Sequence, residues 1–424
     1  MQSNATRWGD MAAITVRLDN MAHGGEAMGR HEGQPIFVPL GIPGELVRVV
    51  VDEKRRRFWR GHITEVLEPS PERVRPPCKY LGLCGGCQWQ HIDYAAQLRW
   101  KQRLVADQLR RLGGQGDALT SAHVNAVLGM DEPWAYRNHI QLVADEEGAL
   151  GFQALRSHDV VAIDTCWITH PMIDDLWGAL DIEGWRAERV VLRAGTETGE
   201  GLVVIEGDDD DPPEVVIDAP VSCLYRGRDG RMEVLAGDGH YHERLGGRTF
   251  RISAPSFFQV NTAQAERLVE VARDYLALKG GEMLLDVYSG VGTFALTIGR
   301  DAGRVVAVEG APSAVADLRA NLVPDEAVTV IEGRAEEVLP GLALRADAVV
   351  VDPPRAGCAP EVLRAIAAAG AGRVVYVSCD VATLARDVAR LAELGYALRA
   401  VQPVDMFPQT SHVETVARLE RATA

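Results

Sequence analysis

MLLDVYSG at residues 283–290, RVVAVEG at 304–310, AVTVIEG at 327–333, DAVVVDPP at 347–354 and RVVYVSCD at 373–380 share one pattern. Each is a short apolar run, rich in β-branched residues, that runs into an acid, a glycine or a cysteine. Runs of this length without polar alternation read as strands buried on both faces of a sheet. Helical periodicity lies around them, at 263–277, 312–322 and 381–394. Strand alternating with helix predicts an α/β fold, βαβ units around a mostly parallel sheet. In such sheets ligands bind at the carboxyl ends of the strands, near the topological switch point. Asp286 closes the first run and Glu309 the second, 23 residues later; Asp352 closes the fourth and Cys379 the fifth.

The turn Tyr288-Ser289-Gly290-Val291-Gly292-Thr293 carries G-x-G but lacks the third glycine of a dinucleotide fingerprint. An acid about 20 residues further on suits ribose hydroxyls. A ligand with an adenosine and no pyrophosphate fits this pattern, and S-adenosylmethionine is one. A methyltransferase is the first reading and another nucleotide enzyme the second.

Working outward, residues 12–68 read as short strands with glycine turns, the arrangement of a small barrel, with a turn or loop at 23–30. Pro69, Pro71, Pro76 and Pro77 mark a linker. A Cys-rich knot follows at 78–90, then an amphipathic helix over 94–112 carrying Arg99, Lys101, Arg103, Arg110 and Arg111. Residues 133–250 look β-rich, and the Asp208–Asp211 run reads as an exposed loop. The expected domains are therefore 10–69, 76–250 and 254–424.

The 424 residues carry a formal net charge of −16, which alone argues against a nucleic-acid partner. The distribution argues the other way. Residues 1–125 hold 17 basic and 13 acidic side chains, and the remainder holds 27 and 47. The densest basic run is Lys54-Arg55-Arg56-Arg57 with Arg60, and Phe58 and Trp59 sit inside it. It reads either as a solvated strand edge or as a phosphate-contacting patch with stacking groups. No apolar run reaches the roughly 18 residues of a membrane helix, and the first ten residues lack a signal-peptide core. A cytoplasmic location away from membranes is expected.

Seven cysteines without a secretion signal make a disulfide framework improbable. Cys78, Cys84 and Cys87 fall within ten residues. Four thiolates suit a [4Fe–4S] cluster, and they suit structural zinc equally well. On local grounds the fourth ligand is Cys166 or Cys223. The spacing, five residues then two, is not the three-then-two of radical S-adenosylmethionine enzymes.

Three motifs then carry a resemblance: Cys78-x5-Cys84-Gly-Gly-Cys87, Asp352-Pro-Pro-Arg355-Ala-Gly357, and Ser378-Cys379-Asp380 with His412-Val413-Glu414-Thr415. Over nearly its whole length the chain resembles the RNA 5-methyluridine methyltransferases, in particular their iron–sulfur-containing 23S rRNA branch. The resemblance implies three parts. Residues 254–424 would be a Rossmann-like S-adenosylmethionine domain, 10–69 an OB-like TRAM barrel that binds RNA, and 76–250 a central β-rich domain with a [4Fe–4S] cluster on Cys78, Cys84, Cys87 and Cys166. The cluster is expected to be structural or RNA-organising. The implied reaction is methylation of uracil C5 in RNA by a monomer. 23S rRNA is the favoured substrate, because tRNA-specific members often lack barrel and cluster; tRNA is the alternative.

Uracil C5 is a poor nucleophile until a thiolate adds at C6, and a base must afterwards remove the C5 proton. The resemblance gives the first task to Cys379 and the second to Glu414. Asp380 beside Cys379 is expected to oppose the thiolate, so its activation must come from elsewhere. Cofactor contacts are carried over to Gln259, within Ser256-Phe-Phe-Gln-Val-Asn261, and to Tyr288, Glu309 and Asp352. Asp-Pro-Pro is also similar to the motif of amino-methyltransferases, which follow it with an aromatic. Arg355 in that place, with Cys379 downstream, favours carbon as the target. The rival from another class is a non-catalytic iron–sulfur RNA-binding protein, which would need neither Cys379 nor Glu414.

Overall fold

A computed structural model of the chain describes residues 13–112, 124–180, 187–208, 212, 215 and 219–422. The chain divides into two compact units. The first comprises Met1–Trp100, Ala154–Ser157 and Gln409–Ser411, and the second Lys101–Gln153, His158–Pro408 and His412–Ala424. This is not the three-way division expected from the sequence: the cysteine segment groups with the barrel, and no boundary falls between 250 and 254. Among the described residues no helix is long and apolar enough to cross a membrane.

The first unit is built on a closed barrel of β1 (Ile14–Met21), β2 (Ala27–His31), β3 (Gln34–Val38), β4 (Leu46–Lys54) and β5 (Trp59–Glu68), in the order β1-β2-β3-β5-β4. Alternation along the strands fills it. Val16 and Leu18 on β1 and Val47, Val49 and Val51 on β4 point inward and are buried. The expected loop at 23–30 instead ends in β2. Gly29 pairs with Leu18, and a Cβ there would collide with the Arg17 carbonyl, so this glycine permits strand pairing rather than a turn. Trp89 is fully buried, and its indole donates to the Gly25 carbonyl at 2.9 Å, which fastens the cysteine segment to the barrel.

The second unit contains two seven-stranded sheets. One has the order β12-β11-β10-β9-β6-β7-β8. Its strands are β6 (His139–Ala144), β7 (Leu150–Gln153), β8 (Val160–Ala162), β9 (Arg189–Gly195), β10 (Glu200–Glu206), β11 (Val221–Arg226) and β12 (Met232–Ala236). A hairpin of β13 (His240–Leu245) and β14 (Arg248–Ser253) follows. The expected Asp208–Asp211 loop lies, beyond Asp208, outside the described residues.

The other sheet has the order β17-β16-β15-β18-β19-β21-β20. Here β15 is Met283–Val287, β16 Arg304–Glu309, β17 Val328–Glu332 and β18 Ala348–Val351. β19 is Arg373–Ser378, β20 Tyr396–Val404 and β21 Glu414–Arg421. The first five strands are parallel, as their unbroken apolar runs require, and β21 runs antiparallel between β19 and β20. Successive residues face opposite layers. Leu285, Val351 and Tyr376 pack with helices α7 (Pro360–Ala369) and α8 (Val381–Glu393). Leu284, Val350 and Val375 pack with α3 (Thr262–Leu276). Val204, Leu224 and Phe250 join that second layer, so the β-rich region and the nucleotide-type sheet share one core.

Candidate active site

The strand order reverses at β15, between β16 and β18, and the polar landmarks gather at the carboxyl ends there. Asp286 is fully buried. Its Oδ2 accepts the Ala295 N–H at 2.8 Å, while Oδ1 has no hydrogen-bond partner among the described residues. Burial pushes this carboxyl up to about 8, and the charges of Asp352 and Glu309 add to the rise. Tyr288, next after β15, adopts a left-handed φ of 62°, and its hydroxyl donates to Glu336 Oε1 at 2.8 Å. Glu309 ends β16. Its Oε2 accepts the Gly290 N–H at 2.8 Å, and its Oε1 accepts those of Gly310 at 2.8 Å and Ala311 at 2.7 Å. The glycine turn after β15 is thereby tied to the acid that closes β16. Gly292 has φ 98°, and a Cβ on it would run into Leu318 and Leu296, so both conformation and space require glycine.

Asp352 follows β18, and burial raises its carboxyl to about 7. Gln259 lies before α3, half-buried, and its backbone carbonyl accepts from Asn138 Nδ2 at 3.2 Å. No hydrogen bond links its side chain to Tyr288, Glu309 or Asp352 among the described residues. Of the four cofactor positions carried over by resemblance, three stand at neighbouring strand ends and Gln259 stands apart from them in its contacts.

Backbone register brings the two catalytic candidates together. Ser378, the last residue of β19, pairs with Thr415 on β21, and the Thr415 hydroxyl donates to the Ser378 carbonyl at 3.0 Å. One further antiparallel step sets Cys379 opposite Glu414, the first residue of β21. Burial pushes the Cys379 thiol up to about 11, and the charges of Glu414 and Asp352 push the same way. The positive charge of the Arg355 guanidinium acts against them and lowers the thiol. Glu414 is buried and held well above the ordinary carboxylate range, first by burial and then by Asp352, with Arg355 again opposing.

Asp380 differs from its expected part. Its carboxylate caps α8, Oδ1 accepting the Thr383 N–H at 2.8 Å, and the forces raising the thiol are burial, Glu414 and Asp352. Cys379 stands just before the N-terminus of this 13-residue helix, where the dipole favours a thiolate. Cys358, by contrast, is buried, and burial pushes its thiol up to about 12. Sequence reasoning gave no role to Arg355 or Asp286. The signal for Arg355 was present: it is the cation next to Asp352-Pro-Pro.

The four cysteines expected to hold a metal are divided between the two units. Cys78, Cys84 and Cys87 lie in the first unit and Cys166 in the second, all half-buried. Burial raises the Cys84 thiol, and Cys78 adds to the rise. The thiols suit a cluster by type, but among the described residues no group of three or more His, Cys, Asp or Glu side chains is gathered to hold a metal ion.

Residues 241–422 match the model of the tRNA (uracil-5-)-methyltransferase family. An uncharacterised RNA methyltransferase of Halalkalibacterium halodurans is 36% identical over 446 residues, which cover 96% of this chain and 96% of that protein. One from Caldanaerobacter subterraneus is 36% identical and covers 96% of this chain and 97% of its own. Among solved structures, the tRNA (uracil-54, C5)-methyltransferase of Pyrococcus abyssi in complex with S-adenosyl-L-homocysteine matches 96% of this chain and all of that one. The TM-score is 0.73 at 26% identity. The strand order, the cysteine facing a buried glutamate and likeness along nearly the full chain agree: the protein is an RNA methyltransferase and belongs to the tRNA (uracil-5-)-methyltransferase family.

Proposed function

We propose that the protein methylates C5 of uracil in RNA, with S-adenosylmethionine as methyl donor, Cys379 as nucleophile and Glu414 as base. The observation that carries this reading is the β19–β21 register, which sets Cys379 opposite Glu414 beside Asp352 and Arg355. The residues at the strand ends suit the donor. Asp286 Oδ1 is buried and unpartnered among the described residues, and Glu309, at the end of the next strand, is the acid that would take the ribose hydroxyls. When bound, the donor supplies the methyl group from its sulfonium.

Cys379 adds to C6 as a thiolate, and the electron pair passes through C5 to the C4 carbonyl as an enolate. C5 then takes the methyl group. Glu414 removes the C5 proton, the C5–C6 double bond re-forms and the thiolate leaves. A glutamate with a raised pKa is a better proton acceptor for this last step. Asp352 and Arg355 hold charge around both groups.

The test separates the two roles. Incubated with RNA and methyl-labelled donor, Cys379→Ala should give neither adduct nor methylated RNA. Glu414→Gln should accumulate a labelled protein–RNA band on a denaturing gel, since only proton removal is blocked. A Cys379→Ala enzyme that still methylates would overturn the assignment.

For the RNA, 23S rRNA is the first reading, supported by the barrel and the three-cysteine motif. tRNA is the second, favoured by the Pyrococcus abyssi enzyme, which is named for tRNA. Loss of a 5-methyluridine from one RNA pool and not the other in a deletion strain decides between them. The reading also takes the protein to be cytoplasmic and monomeric. It keeps a [4Fe–4S] cluster on Cys78, Cys84, Cys87 and Cys166, supported by the spacing of the first three cysteines.

A further inference from the structure

The turn that carries Arg355 is held from α8. Gly357 N–H donates to the Pro354 carbonyl at 2.8 Å, closing a tight turn with Arg355 and Ala356 at its centre. Two consecutive residues of α8 grip it. Arg386 Nη2 donates to the Ala356 carbonyl at 2.8 Å. Asp387, fully buried, accepts the Cys358 N–H on Oδ2 at 2.8 Å. The two are joined to each other, Arg386 Nε to Asp387 Oδ1 at 2.8 Å and Nη2 to Oδ2 at 3.1 Å. From the sheet, the Tyr376 hydroxyl donates to the same Oδ2 at 2.8 Å. Gly357 has φ 75°, and a Cβ on it would strike Arg386 and Asp387, so turn and clamp fit only with glycine between them.

The same helix begins two residues after Cys379, at Val381. Its cap is Asp380, and Thr383, bonded to that cap, also lies against Gly357. One rigid element therefore contacts both the nucleophile's strand end and the turn that presents the guanidinium. Nothing in the methylation chemistry uses Arg386 or Asp387.

We propose that Arg386 and Asp387 are positioning residues that hold the Arg355 turn so that its guanidinium stays near enough to Cys379 to favour the thiolate. The groups facing that thiol are Arg355 after β18, Asp352 on the same segment and Glu414 on β21. Arg386 is not among them, so its effect on the thiol must pass through Arg355. The proposal rests on the reading of Cys379 as nucleophile, but its test reads the thiol itself and needs no RNA.

The experiment follows alkylation of Cys379 by iodoacetamide against pH in the full chain, on the Cys379 peptide by mass spectrometry. Arg355→Gln should move the midpoint to higher pH. Arg386→Gln should move it the same way, with about threefold lower reactivity at a fixed pH below the midpoint, half a decade of thiolate. Arg386→Lys keeps a cation but not the fork, and should fall between parent and Arg386→Gln. In the double variant Arg355→Gln with Arg386→Gln, the second substitution should add nothing.

Arg386 is partly exposed, so these variants should fold; an unchanged melting temperature checks it. Asp387→Asn, measured the same way, should act like Arg386→Gln. A midpoint unmoved by Arg386→Gln, additive shifts in the double variant, or a midpoint unmoved by Arg355→Gln each overturns the proposal. Loss of RNA methylation with normal clamp behaviour would instead count against the methylation reading alone.

Discussion

At Cys379, burial and two carboxylates oppose a guanidinium and a helix N-terminus, and burial is the largest of these forces. The resting thiol is thus mostly protonated at neutral pH. Asp286 shows the same conflict without a cation to relieve it. Its folded pKa of about 8 stands above the roughly 3.9 of an unfolded aspartate. The sign follows from proton counting. Between about pH 4 and 8 the folded protein holds a proton that the unfolded chain has released, so stability falls as pH rises through that window. Asp286→Asn keeps an oxygen for the Ala295 N–H and carries no charge. In the donor-free protein its melting temperature should match or trail the parent's at pH 5 and exceed it by a few degrees at pH 8.5. A gap that does not grow with pH counts against the buried, charge-strained carboxyl.

The β4–β5 hairpin shows how an element redistributes a basic run. Arg55 N–H donates to the Phe58 carbonyl at 2.9 Å, so 55–58 is a tight turn. Lys54 lies over Trp59 at 4.6 Å, and Arg60 over Phe58 at 5.4 Å. Arg55 pairs with Glu53 at 2.5 Å, and Arg60 lies 3.7 Å from Glu26. Arg56 and Arg57, at the tip, are exposed and have no ion pair among the described residues. If the barrel binds RNA phosphates, these two carry the salt dependence. Arg56→Gln with Arg57→Gln should lower the slope of log affinity against log salt by about one for each phosphate no longer neutralised, with melting temperature unchanged. A slope equal to the parent's in filter binding would take the hairpin out of the RNA interface.

For the whole molecule, contacts distant in sequence decide what the parts are. Lys101, expected on a basic helix face, is fully buried and paired with Asp405, 304 residues on, and its ammonium also donates to the Phe407 carbonyl at 3.0 Å. It is structural and cannot meet RNA. Cys223 is likewise buried, its thiol pushed up to about 11 by burial alone. It packs in a hydrophobic cluster with Val203 and Tyr225. For the proposed cluster, anaerobically purified protein should hold about four iron atoms per chain. Cys84→Ser and Cys166→Ser should lose them, and Cys223→Ser should keep them. Stoichiometric zinc with no iron would replace the iron–sulfur reading by a structural zinc site.

The sequence by itself determined the elements whose periodicity is their burial. The five parallel strands, helices α3, α5 (Pro312–Asn321) and α8, and the barrel's alternating strands lie close to where the pattern puts them, because apolar spacing records which face is dry. It also determined the motif residues Asp352, Cys379 and Glu414, which stand beside strand ends and need only local order to be placed. The same local logic hid β2, since a glycine that admits a neighbouring strand looks like one that makes a turn. Tertiary structure alone decided the rest. Glu414 meets Cys379 because β21 inserts antiparallel beside β19, a choice of pairing that no run of residues encodes. Arg386 meets Ala356 from 30 residues away because a helix packs on the sheet at one rotation and not another. That rotation is set by interlocking side chains across the shared core, which is a property of the packed chain and not of any segment of it.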